Sequence, residues 1–359
     1  MKTLRLLGIV TLLLGMVSCT TNYRMTTRIH RNGTVEREVW AMGDSAFMAG
    51  NLSKNPFLFS IDSGWKLTRL DSTIKFNFFG SDDKLNVVAS RTIKPTGDFT
   101  FFSGVKTDFK PLVVPQEKLE KHFRWFYTYY TFTCKYDEIK DKGSVPLNRY
   151  LTDAQCKLLF QGDMTTCEGL NGLEISDELD DLRDKFKEWY RRSQYEVSYE
   201  VIRHFMKQEG DTTFLSQLKS DQERIFKSGL SDDSEKDFEP AYVCSLLDIA
   251  FHTKQFSQLY KRQSKPMDAL YMQKCEIVNL FNYAFKYELA MPGTITSTNT
   301  QLREDDLLVW KVDAYRILAD NYLLTAESRT INVWAFVVTG ILVLFAGYCL
   351  MKGKRKKNG

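Results

Sequence analysis

"NYAFKYELAMPGTI", residues 282–295, decides the fold. Tyr283, Phe285, Tyr287 and Leu289 alternate with Ala284, Lys286 and Glu288, the period-2 pattern of a strand. The strand follows directly on a long helical block, without the Pro/Gly/Ser linker of a flexible boundary. "LLVWKV" at 307–312 and "YLLTAES" at 322–328 add two more strands. Two or three strands are marginal alone, so these are expected to complete a sheet begun elsewhere in the chain.

The other half of that sheet lies in 23–136. "TVEREVWAM" alternates Val35, Val39 and Ala41 with charged neighbours such as Arg37, and "NG" at 32–33 precedes it as a hairpin turn. "KLTRLDSTIKFNFFGSDDKLNVVASRTI" reads as three short strands broken at "LDST" and "GSDD". "FRWFYTYYTFTCKY" at 123–136 is almost wholly aromatic and Thr, residues that suit a pleated surface. Packing on a sheet face is the expected role of these rings, ahead of a ligand box.

From "LTDAQCKLLF" onward the period changes. "ISDELDDLRDKFKEWYRRS" offers Ser176 as N-cap, acidic residues in the first turn, and Leu179, Leu182, Phe186, Trp189 and Tyr190 at helical spacing. "AYVCSLLDIAFHTKQFSQLYK" repeats that spacing after Pro240, a good first helical residue. The acidic run at 231–240 reads as a solvated loop.

Both ends of the chain are apolar. Val333 to Met351 holds nineteen residues without a charge. As a helix that stretch covers about 28 Å, close to the hydrocarbon thickness of a bilayer. Trp334 sits at one edge, and Lys352, Lys354, Arg355, Lys356 and Lys357 follow the other. Aromatic rings prefer the membrane interface and clustered cations the cytoplasmic side. At the start, Lys2 and Arg5 precede a short apolar run, Leu6–Leu14, of signal-peptide rather than spanning length.

That run closes on "MVSC", which resembles the lipobox of bacterial lipoproteins, with Met16 in the usual Leu position. The resemblance implies that Cys19 is the lipidated first residue of the mature chain. Cys19, "RIHRNGTVEREVWA" at 28–41, "PGTITSTNTQLREDDLLVWKV" at 292–312 and "YLLTAESRTINVW" before the span together resemble the LppM-type family of membrane lipoproteins. The resemblance implies a β-rich α/β envelope domain with a lipid-contacting cavity and a single membrane helix. The helical block is a departure from the short members of that family.

The expected organisation is therefore α+β. Residues 1–18 are a signal peptide, and 19–149 and 279–328 jointly form a β-rich domain. Residues 150–278 are a helical insertion, 329–351 a transmembrane helix and 352–359 a basic cytoplasmic tail. Both anchors put the main domain in the periplasm against a bacterial inner membrane. The partners expected are the lipid bilayer and an envelope protein or lipid ligand. The formal charge of +4 resides in the leader and the tail, so the mature outer part is near neutral or slightly acidic, which argues against nucleic acid.

Catalytic and metal motifs are missing. There is no G-x-S-x-G, H-E-x-x-H, Walker loop, G-x-G-x-x-G or EF-hand loop. His30, His122, His204 and His252 are scattered, and Asp180, Asp181 and Asp184 read as the wet face of a helix. No cofactor, metal or catalytic residue is assigned. Cys156 and Cys167 would close a short loop and form the candidate disulfide of an oxidising compartment. A binding or scaffolding module is expected rather than an enzyme. The alternative is a hydrolase-like enzyme whose residues converge only in the fold.

Overall fold

The computed structural model describes residues 20–140, 143–210, 214–230 and 237–357, and side chains at all of these except 276 and 350–357. The expected leader and Cys19 lie outside the described residues. The chain forms two compact units. One comprises 21–137, 284–312 and 322–359 and carries the sheets, and the other comprises 138–283 and 313–321 and carries most of the helices. The helical unit thus begins at Glu138 and ends at Tyr283, wider than the 150–278 expected, and it takes back Asp313–Asn321.

The strand unit contains β1 (Thr21–Ile29), β2 (Val35–Ala41), β3 (Lys66–Phe78), β4 (Ser81–Ile93), β5 (Asp98–Phe99), β6 (Gln116–Phe123), β7 (Tyr127–Tyr136), β8 (Tyr283–Ala290), β9 (Thr294–Thr298), β10 (Arg303–Glu304), β11 (Leu307–Asp313) and β12 (Tyr322–Ile331). A seven-stranded sheet has the order β10-β11-β8-β1-β2-β4-β3, and a five-stranded sheet the order β5-β6-β7-β12-β9. N-terminal and C-terminal strands share both: β8 lies beside β1, and β12 pairs antiparallel with β7 from Tyr322↔Tyr136 to Ile331↔Tyr127. Neither chain segment could cover its apolar face alone, and intercalation of the two solves that problem.

Local chemistry explains the turns. Gly33 takes φ 86° in the β1–β2 hairpin, where the Thr34 amide also donates to the Asn32 side chain. "LDST" does not end a strand. It sits inside β3 as an irregularity between Arg69 and Ile74, so three expected strands are two long ones joined at Phe79 and Gly80, both at positive φ. β3 is an edge strand, which tolerates such a bulge.

The helical unit is built from α1 (Gly172–Gln208), α2 (Leu215–Leu230), α3 (Pro240–Ala250) and α4 (Gln255–Lys274). α1 begins earlier than Ser176 because Asn171 accepts from the amides of Leu173 and Glu174 while Glu174 reaches back to the Asn171 amide. This reciprocal cap satisfies orphan donors at the helix start and is worth about 1 kcal/mol. Tyr195, Val201, Ile202 and Phe205 of α1 pack with Leu218, Ile225, Phe238, Val243, Leu247 and Phe256 into one core. Asp180, Asp181 and Asp184 stay on the wet face, paired with Arg183, Lys185 and Lys187. Cys156 and Cys167 are each buried as thiols, and the candidate disulfide between them is not formed.

The last element, α5, runs Val333–Lys357. It starts two residues after β12 ends, so 329–331, expected in the membrane segment, are strand. Among the described residues no helix is long and apolar enough to cross a membrane. Side chains of α5 are described only as far as Cys349, whereas the uncharged stretch of the sequence continues to Met351.

Candidate membrane-interface site

The five-stranded sheet turns over between β6 and β7 at Arg124, Trp125 and Phe126. A tight pair of backbone bonds closes this turn, Arg124 N to Tyr127 O at 2.7 Å and Tyr127 N to Arg124 O at 3.0 Å. Asn332, the single residue between β12 and α5, holds the turn against the start of the helix. Its amide donates to Phe126 O at 2.9 Å, its Nδ2 to Arg124 O at 2.9 Å and Trp125 O at 3.3 Å, and its Oδ1 accepts from Thr128 Oγ1 at 3.0 Å. All of an asparagine side chain's chemistry, donor and acceptor, is used in fixing where the helix leaves the sheet.

Rings from the turn and from the helix gather at that junction. Phe123 stacks on Trp334 at 6.1 Å with planes 3° apart, and Trp125 meets Trp334 edge-on at 5.2 Å. Trp125 Nε1 donates to Thr339 Oγ1 at 2.8 Å. Phe126 and Tyr127 pack on Phe336 at 4.6 and 6.2 Å. These rings are not core. Phe123 is 58% exposed, Trp125 45%, Trp334 52% and Phe336 45%. Above them Val337, Ile341, Leu342, Val343, Leu344 and Phe345 are exposed as well. A contiguous exposed apolar patch of this kind marks a protein or membrane contact.

Among the residues singled out in the sequence, Trp334 stands at the centre of this collar. The side chains of Lys352, Lys354, Arg355, Lys356 and Lys357 lie outside the described residues, though their backbone continues α5. Phe123, Trp125, Phe126 and Asn332 were missed. The three rings lie in "FRWFYTYY", whose first four residues lead into and form a turn rather than a sheet face, and nothing local to Asn332 marks it.

A second constellation lies in the core of the same unit, and it is structural. Arg37 shares the inward face of β2 with Val35, Val39 and Ala41 rather than opposing them. Its Nη2 reaches Glu117 Oε1 of β6 at 2.5 Å, its Nη1 reaches Oε2 at 2.9 Å, and both ends are fully buried. Thr27 and Tyr287 complete its hydrogen bonds, and the guanidinium lies 4.4 Å over the Phe101 ring. Burial works against the Arg37 charge, but the facing Glu117 carboxylate outweighs it and keeps the group protonated. Burial also pushes the Cys134 thiol and the Tyr136 and Tyr287 phenols well above their ordinary values. None of the three can act as a base or thiolate near neutral pH.

Elsewhere, among the described residues no group of three or more His, Cys, Asp or Glu could hold a metal ion. The helical unit carries an open polar groove of about 500 Å³ lined by Ser144, Arg149, Tyr150, Arg192, Glu196 and Glu223, in which Arg192 is held by Glu196 and Glu223.

No known family matches this chain, and no curated protein does either. The folded domain of LppM from Mycobacterium tuberculosis, solved by NMR, is similar to it at 8% sequence identity and a TM-score of 0.24, with 87% of this chain and 91% of that domain covered. A TM-score of that size does not define a shared fold.

Proposed function

We propose that this protein is a doubly anchored envelope lipoprotein, in which α5 spans the inner membrane and the strand unit rests on the periplasmic bilayer surface. Cys19 supplies the second anchor, and the basic residues from Lys352 lie in the cytoplasm. The protein acts there as a non-catalytic binding or scaffolding module for a lipid or protein ligand. One observation carries the reading. Exposed rings from two separate segments, the β6–β7 turn and the start of α5, converge at one level, where the uncharged stretch of α5 leaves the fold. In water such a collar is unfavourable, whereas at the headgroup level its amphipathic rings are stabilised.

A nitroxide depth measurement on the full chain in bilayers tests this reading. β6 spans about 23 Å from Gln116 to Phe123. A label at Phe123 is expected to report headgroup depth, and one at Gln116 bulk water. A label at Phe123 that reports bulk water would remove the collar from the membrane and end the reading.

A further inference from the structure

We propose that Arg124 and Arg329, beside the aromatic collar, bind the phosphate of an anionic phospholipid headgroup. This inference rests on the membrane attachment proposed above and adds a ligand class to it.

The two arginines differ from four others of the same unit. Arg24, Arg28, Arg37 and Arg91 of the same unit each face a carboxylate, of Glu288, Glu38, Glu117 and Asp62 respectively. Among the described residues neither Arg124 nor Arg329 forms an ion pair, and both are exposed. Instead Arg329 lies 4.9 Å over the Tyr127 ring and Arg124 5.6 Å over the Tyr129 ring, while the two rings are 6.3 Å apart. Cations and rings therefore alternate in one cluster. The rings hold the guanidinium groups in place and leave their N–H edges uncommitted, the geometry that a planar fork needs to grip a phosphate.

The strand register supplies the second argument. Residues directly opposite on neighbouring strands share a face. Nearest α5, Ile331 lies opposite Tyr127. The next row on that face is His122, Tyr129 and Arg329, and the one beyond it is Glu120, Thr131 and Glu327. Moving away from the helix, the face is apolar, then cationic, then acidic. Glu120 is engaged with Lys118 and His122, which hold its carboxyl below the usual range, so it does not neutralise the arginines. That order matches hydrocarbon boundary, phosphate layer and water.

Native mass spectrometry of the full chain released from nanodiscs tests the site, using phosphatidylcholine mixed with phosphatidylglycerol. The wild type is expected to retain phosphatidylglycerol preferentially. Arg124→Gln with Arg329→Gln should lower that preference roughly tenfold, and the matching pair of Lys substitutions should keep most of it. The basic residues after Met351 are common to all three chains, so the difference reports the arginine pair. Equal retention of both lipids by the wild type overturns the proposal, as does an unchanged preference in the Gln variant. Displacement of the lipid by glycerol phosphate in solution would also overturn it, by making a soluble ester the ligand. A chain that never enters the nanodisc fails the membrane reading itself, and this site with it.

Discussion

Arg37 and Glu117, eighty residues apart, meet in a bidentate ion pair that joins the two sheets with neither side chain exposed. A pair of this kind contributes little net stability over a well-packed apolar pair, yet removing one member strands the other in a dry core. Its effect is to make only one facing of the two sheets acceptable.

Arg37→Met alone is accordingly expected to cost about 3–5 kcal/mol, because it leaves the Glu117 carboxylate buried without its cation. The double variant Arg37→Met/Glu117→Leu should regain most of that loss. Denaturant titration of the detergent-solubilised chain reads both. A single variant as stable as the wild type would show that the buried pair is not coupled.

Asn332→Ala removes three side-chain hydrogen bonds from the β6–β7 turn. The site is only partly buried, so global stability should fall by roughly 1–2 kcal/mol. The sharper signature is local. Amide exchange at Arg124 and Tyr127, the two bonded amides of the turn, should accelerate well beyond that of the β1–β2 ladder. Uniform acceleration everywhere would mean that Asn332 does not tether the turn.

Cys275 titrates in the alkaline range. Burial lifts its thiol from 9.0 to about 11, against a smaller opposing effect of the Tyr271 hydrogen bond. A group whose pKa is raised by folding contributes stability that is complete below its unfolded value and is lost as pH rises through its folded value. Stability should therefore decline between about pH 9 and 11, and Cys275→Ser should flatten that decline. Melting curves across that window decide it, and an identical slope in the Ser variant would discard the assignment.

Topology gives the last test. Cys19→Ala should abolish incorporation of a fatty-acid analogue and still leave the chain in the membrane through α5. A membrane-impermeant thiol reagent added to cells should reach a cysteine placed at Ser231 and spare one at Asn358. Release of the Ala variant, or the reverse labelling pattern, would defeat the two-anchor arrangement.

Much of the fold is legible along the chain. The strand at Tyr283–Ala290, the Asn32-Gly33 turn and the Pro240 helix start all rest on short-range chemistry, and the structure has each in place, although β8 is buried on both faces, Lys286 and Glu288 included. What escapes depends on distance. Arg37 on an inward face is intelligible only beside Glu117, which no local pattern places there. Asn332 is an ordinary polar residue until the β6–β7 turn lies against it. The same aromatic run supplies core rings at Tyr130, Phe132 and Tyr136 and exposed ones at Phe123 and Trp125, and composition cannot separate the two.

The direct continuation of β12 into α5 has a mechanical consequence. β12 lies between β7 and β9, and one residue joins it to the helix. Tension applied along α5 therefore enters the interior of a sheet along the strand axis. It loads the ten-residue ladder with β7 in shear, all of its rungs sharing the force, instead of unzipping them one after another from an edge. The junction is stiff and has no slack.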